Sequence, residues 1–332
     1  MINLIDLYKK LKLSKIDSTG NQIVFSACQI PDYPRHRLAK DKNNFPSLLI
    51  ATEDSNALNR PSPIKLEHLE VLYDVDCRIS HNGSLEEGRF TVICCTEQDQ
   101  SIQEYFLRIG GAVITALGKN PAPKQVAKAV SNLVELFRVM HEFPRKSVQG
   151  LWAELFLISV ASEPTELLRA WHRLPDDKYD FSWENQRIET KSATSKIRQH
   201  HFSLEQLNPT MGVKVLVASM FVDRIGSGTS LVELAETVRS KIKDPELLFY
   251  LEHIIGLTLG SNWKSAAKDR FNYELAKKSI AFYSSEAIPC VNPDLPKGIS
   301  DVHFMVDLTD TPVIDRKLLE SSSGIFKAAL SK

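Results

Sequence analysis

Ten residues, Val213–Val222 (VKVLVASMFV), constrain this chain more than any other stretch: eight are apolar, and only Lys214 and Ser219 interrupt them. A strand that hydrophobic is buried on both faces, as in a covered sheet with parallel neighbours. Upstream, the run Val148–Val160 (VQGLWAELFLISV) reads as a helix that opens the second half of the chain. Between the two lie three short strand-like runs, Leu167–Leu174, Tyr179–Trp183 and Arg187–Lys191, with PDDK and ENQ as the turns. Ser203 and Gln206 have capping-box spacing and open a short helix just before the apolar strand. The predicted order is helix, three strands, helix, strand. Helical runs at Leu231–Ile242 and Glu246–Leu257 and a strand-like piece at Val302–Leu308 follow.

The first 110 residues differ. Ile23–Cys28, Ser47–Ala51, Leu66–Leu72 and Arg89–Cys95 are short apolar or alternating runs separated by turn-prone stretches. From about Gln100 the period becomes helical, with a break or bend expected at Gly110–Gly111, and a second helix carries Val126, Val130, Leu133, Leu136, Phe137 and Met140 on one face. These shifts divide the chain into a β-rich domain (1–110), a helical connector (111–147) and a third region (148–332).

Forty-one Lys and Arg balance forty-one Asp and Glu, which excludes a protein that coats nucleic acid by bulk charge. Any polyanion must be met by a local patch. The five cysteines form no CxxC pair and no Cys/His ladder, so a disulfide scaffold and a zinc site are not expected, and reduced thiols in a cytoplasmic protein are. The first residues lack the apolar run of a signal peptide, and no segment approaches the roughly 18 apolar residues of a membrane span.

The segment Lys178–Lys191 stands apart. Strand alternation puts Glu189 and Lys191 on one face with Thr190 on the other, and a hairpin through ENQ returns Asp180 beside that pair. Two carboxylates and a backbone carbonyl make a hard oxygen site suited to Mg²⁺, with Mn²⁺ as a substitute. Such an ion lowers the pKa of a bound water, and a neighbouring lysine offsets charge on a phosphodiester under attack. The plain alternative for these residues is a salt-bridged hairpin face.

Asp180, an eight-residue gap and Glu189-Thr190-Lys191 resemble the PD-(D/E)xK nuclease superfamily, although Tyr179 stands where that pattern has proline. GLWAELFLI, YDFSW, RIETK, HHFSLEQL and the late segment SIAFYSSEAIPCVNPDLPKGISDVHFMVDL are similar to a group of such proteins known mainly from prokaryotic genome surveys. The resemblance implies an α/β (α+β) chain: a restriction-endonuclease-like αβββαβ core, a β-rich N-terminal domain and a helical C-terminal extension. It implies Asp180, Glu189, the Thr190 carbonyl and Glu154 as metal ligands, and Lys191 as the catalytic lysine. It also implies a Mg²⁺-dependent DNA endonuclease of a restriction or phage-defence system, leaving 5′-phosphate and 3′-hydroxyl ends. Such genes lie beside an ATPase and a DNA methyltransferase, and a homodimer is expected if both strands are cut. The alternative is an inactive nuclease-fold scaffold that binds a partner such as the ATPase. Glu154 can instead be a surface acid with a wet tip.

Lys196, Arg198, His200 and His201 follow the active strand with few acids nearby, a composition that can track a phosphate backbone or form a solvated loop. Gln206 can face the site and contact DNA, or simply cap its helix. Arg35, His36, Arg37, Lys40 and Lys42 form a second basic stretch, and Trp152 with Phe156 reads as core.

Overall fold

The computed structural model describes residues 2–13, 23–52, 61–81, 84–139, 147–172, 177–194, 197–259, 266 and 268–331. The chain is mixed α/β and forms two compact units, Met1–Phe143 with Leu248–Ser261, and Pro144–Leu247 with Asn262–Lys332.

In the first unit α1 (Leu4–Lys10) precedes six strands, β1 (Ile23–Ile30), β2 (Tyr33–Lys40), β3 (Pro46–Ile50), β4 (Ile64–Lys65), β5 (Leu69–His81) and β6 (Ser84–Cys95), and then α2 (Gln100–Leu117) and α3 (Pro123–Val139). Five strands close in the order β1-β2-β3-β6-β5, with β5 returning parallel to β1. This barrel-like sheet encloses Phe25, Ala27, Leu49, Cys77, Ile79, Phe90 and Val92. Strand β5 can serve three neighbours because its register shifts between Leu72 and Val75, where Asp74 takes a positive φ of 51° and Arg89 pairs with its carboxylate at 2.8 Å.

The turn-prone stretch around Arg35–Lys40 is a strand, not a loop. Alternation along β2 puts His36 and Leu38 on the face opposite Ala39, which lines the barrel; both are fully buried, and His36 Nε2 lies 2.9 Å from the Gly118 carbonyl oxygen. The Arg35 guanidinium donates to Asn120 and Thr52. Helix α2 also runs unbroken through Gly110–Gly111. Those glycines allow close approach instead of a bend: a Cβ at Gly110 would lie 2.7 Å from Leu48 Cδ1, and one at Gly111 would lie 2.9 Å from the Ile2 carbonyl oxygen. Burial pushes the Cys77, Cys94 and Cys95 thiols up to about 12, and all five cysteines are free.

In the second unit the order is α4 (Val148–Val160), α5 (Pro164–Ala170), β7 (Phe181–Trp183), β8 (Gln186–Ala193), β9 (Gln199–Ser203), α6 (Leu204–Leu207), β10 (Lys214–Phe221), β11 (Arg224–Ser230) and α7 (Leu231–Lys241). Helix α8 (Pro245–Leu259) begins here and passes into the first unit at Leu248. Then come β12 (Arg270–Phe271), α9 (Tyr273–Ser279), β13 (Ala281–Ser284), β14 (His303–Asp307), α10 (Arg316–Glu320) and α11 (Gly324–Ala328). The main sheet has the order β13-β10-β8-β7, with β8 parallel to β10 and antiparallel to β7. The apolar strand read at Val213–Val222 is β10, second in this sheet and buried from Val215 to Met220.

One of the three expected strands is misplaced. Its first part, Leu167–Ala170, belongs to α5, because Pro164 opens a helix whose Leu167, Leu168 and Ala170 face inward. A segment read as a loop is instead a strand, β9, which pairs antiparallel with β14 over Gln199–Ser203 in a two-stranded sheet separate from the main one. Among the described residues no helix is long and apolar enough to cross a membrane.

Candidate metal centre and active site

Helix α4 is capped by Ser147, whose Oγ accepts from the Gly150 N–H, and is buried on nearly every side. Trp152 and Phe156 stack with ring centroids 5.4 Å apart, as core. Glu154 lies in this apolar setting and is itself only 2% exposed, so its tip is not in water. Its Oε2 accepts from Trp171 Nε1 at 2.7 Å and stands 2.7 Å from His172 Nε2.

Those partners arrive through an unusual turn. Trp171 ends α5 and bridges to Phe181, and His172 adopts the left-handed region with φ 40°. That conformation costs a non-glycine residue on the order of 1 kcal/mol or more. It lets the His172 N–H donate to the Asp180 carbonyl at 2.9 Å. Asp180, 3% exposed, sits just before β7 and accepts the Thr190 N–H on Oδ2 at 2.7 Å. One ligand atom each from Glu154, His172 and Asp180 lie within 4.8 Å of one another.

Glu189 and Lys191 share a face of β8 as alternation requires, with Lys191 Nζ 2.8 Å from Glu189 Oε1. Gln206 grips both: its Oε1 accepts from Lys191 Nζ at 3.1 Å and its Nε2 donates to Glu189 Oε1 at 2.8 Å. Its side-chain oxygen also accepts from the Ser203 N–H, completing the capping box of α6. The two readings of Gln206, cap and site residue, are therefore one arrangement. Lys191 Nζ lies 4.9 Å from the centre of the Phe202 ring, a cation–π contact. The four expected site residues thus form two adjoining groups, Glu154–His172–Asp180 and Glu189–Lys191–Gln206. The hydrogen bond from the Thr190 N–H to Asp180 joins them.

Tyr179, at the position of the missing proline, is nearly buried and donates its hydroxyl to the Glu205 carbonyl at 2.9 Å. Burial first, then the Glu189 charge, pushes its phenol up to about 12. It ties the start of β7 to α6.

The segment after β8 is arranged differently from the expected phosphate-tracking loop. Lys196 lies outside the described residues. Arg198 donates to the Ser219 carbonyl and hydroxyl and to the Ser279 carbonyl, and covers Phe221. His200 is buried with Nε2 2.8 Å from Ser219 Oγ, and burial reinforced by Lys191 and Arg198 lowers its pKa to about 4. His201, one residue on, is exposed because β9 alternates. Arg198 is thus spent on β10 and the end of α9, and His200 Nε2 on β10, whereas His201 faces solvent.

A family model described as "Putative PD-(D/E)XK family member, (DUF4420)" matches residues 5–309. The chain belongs to this family. Searches of curated proteins and of solved structures returned no match.

PD-(D/E)XK proteins generally use divalent metals, and the residues of this family member fit one. Glu154 in the middle of α4, Asp180 just before β7 and Glu189 within β8 are all at most 5% exposed. Burying one carboxylate costs several kcal/mol unless charge offsets it, and a dication among hard oxygen donors supplies such an offset.

Trp171 and His172 were not singled out in the sequence, and Tyr179 only as the residue in place of proline. A left-handed histidine carries no motif, and the signal available was an aromatic pair, Trp171-His172, a few residues before Asp180 in the sequence.

Proposed function

We propose that this chain hydrolyses phosphodiester bonds in DNA as a divalent-metal-dependent endonuclease. The observation that carries the reading is the burial of Glu154, Asp180 and Glu189 around a hairpin whose next inward residue is Lys191. Asp180, Glu189, Glu154 and the Thr190 carbonyl would hold the ion. When bound it would acidify a water and offset charge on the scissile phosphate.

The remaining work falls to side chains. Lys191 carries a positive charge beside Glu189 Oε1 and stabilises the added negative charge of the phosphorane. Gln206 sets the lysine's position from α6 through Oε1. Trp171 and His172 fix the rotamer of Glu154, and the Thr190 N–H fixes Asp180. His201, exposed at the edge of β9, is available to contact a DNA strand.

A restriction-endonuclease-like core belongs to the same proposal. Helix α4, the β7–β8 hairpin, β9, α6 and a strand β10 parallel to β8 support it, with α5 as an insertion. The defence role, the ATPase and methyltransferase partners and a homodimer rest on family resemblance.

Incubation of the purified protein with single-stranded, duplex, nicked and modified DNA in Mg²⁺ or Mn²⁺ tests the reading. Cleavage by the wild type that disappears in Asp180→Ala and Lys191→Ala supports it. Inertness on all four DNAs with both ions refutes it, and absence of metal binding as well would leave the scaffold reading.

A further inference from the structure

Of the three residues whose ligand atoms cluster within 4.8 Å, the function just proposed uses His172 only to hold Glu154. The geometry supports more. We propose that His172 is itself a ligand of the ion, with Glu154 and Asp180, and that its imidazole makes this centre prefer Mn²⁺ over Mg²⁺; this rests on the nuclease reading above.

Donor spacing is the first argument. In an octahedral site with metal–donor bonds near 2.1 Å, neighbouring donors stand about 3 Å apart and opposite donors about 4.2 Å. His172 Nε2 and Glu154 Oε2 are already 2.7 Å apart, close to the spacing of two adjacent ligands. An ion entering there would take the place of the proton between them, and the 4.8 Å limit on the three residues admits a single shared ion.

The backbone is the second. His172 is held with φ 40°, and its N–H is fixed to the carbonyl of Asp180. One ligand's main chain is therefore clamped to the other's, and the imidazole is delivered to the same point as the Asp180 carboxylate.

Donor chemistry sets the metal. Mg²⁺ is an oxygen-seeking ion that dehydrates reluctantly and gains little from imidazole. First-row transition ions accept imidazole nitrogen, and Mn²⁺ is the one that also suits carboxylate and carbonyl oxygen. Two carboxylates and one imidazole match that combination.

The test compares the full-length wild type, His172→Gln and Asp180→Ala, each shown to be folded by circular dichroism. Mn²⁺ affinity is read by electron paramagnetic resonance and Mg²⁺ affinity by calorimetry. Electron spin-echo modulation reads nitrogen coupling to bound Mn²⁺. The wild type is expected to bind Mn²⁺ more tightly and to show the nitrogen coupling. In His172→Gln the coupling should vanish and Mn²⁺ affinity should fall about tenfold or more, with Mg²⁺ affinity nearly unchanged. Were both affinities to fall together, or neither, with no nitrogen coupling in the wild type, His172 would be only a positioning residue and the proposal overturned, though Asp180→Ala would still lose metal. A wild type that binds neither ion, or an Asp180→Ala variant that keeps both, overturns the nuclease reading along with this one.

Discussion

The indole N–H of Trp171 gives the buried Glu154 carboxylate a hydrogen bond. Trp171→Phe keeps most of the ring and removes that donor, so unfolding in urea should show a loss of about 1–3 kcal/mol, the cost of under-satisfying a buried charged acceptor. His200 gives a second prediction, in pH. Its folded pKa of about 4 lies below the ordinary 6.5, so below pH 6.5 the unfolded chain takes up a proton that the folded one refuses. Stability is full above pH 6.5 and is lost as pH falls towards 4, by about 3 kcal/mol in total. His200→Gln, which does not titrate, should flatten that part of the stability–pH curve. Among the thiols, Cys290 is exposed while Cys77, Cys94 and Cys95 are raised to about 12, so a thiol reagent at pH 8 should label Cys290 fast and those three only on unfolding. Alternation and a lone acid on an apolar helix are local signals, so the shared face of Glu189 and Lys191 and the apolar setting of Glu154 could be read from the sequence. Trp171 and His172 could not, because their contacts follow from one positive φ. His200 read as a solvent-facing residue because its strand pairs with Val306, more than a hundred residues later.

At the scale of elements, the capping box of α6 carries more than helix stability. Ser203→Ala removes the acceptor for the Gln206 N–H and should cost about 1 kcal/mol in a chemical denaturation. Because the same glutamine holds Lys191 and Glu189, the turnover number should fall further than the stability loss explains. Strand β11 meets β12 at Gly228, where a Cβ would collide with the Phe271 carbonyl oxygen. That contact is with backbone, which cannot swing aside, so Gly228→Ala should lower stability by about 1–3 kcal/mol and the melting temperature with it. Elements with a strong period were readable: α4 and β10 lie within a residue or so of their expected bounds. The reading failed where composition and partner disagreed. β2 is rich in proline, arginine and lysine, yet it forms because β1 and β3 flank it. In α5 a leucine pair looks strand-like until Pro164 is read as a helix start.

For the whole molecule the net charge of zero sets the DNA prediction. Arg198 is turned to Ser219 and Ser279, so among the described residues that cation is not available to meet phosphates near β8. Affinity for duplex DNA should be weak, and log K against log salt should have a slope corresponding to only about 3–4 phosphates, measurable by fluorescence anisotropy. The passage of the chain between its units was hidden from sequence reading, since Glu246–Leu257 is simply a good apolar helix. Its residues from Leu248 onward join the first unit, where the Tyr105 hydroxyl donates to the Glu252 carbonyl at 3.1 Å. The N-terminal unit therefore has a core that is complete only after Leu259 has been synthesised. A ribosome-bound chain that stops short of α8 lacks a helix that belongs to the first unit, so completion of that unit should wait until α8 emerges. A protease nick between the units would likewise leave two fragments that stay together, because one contains the helix that finishes the other.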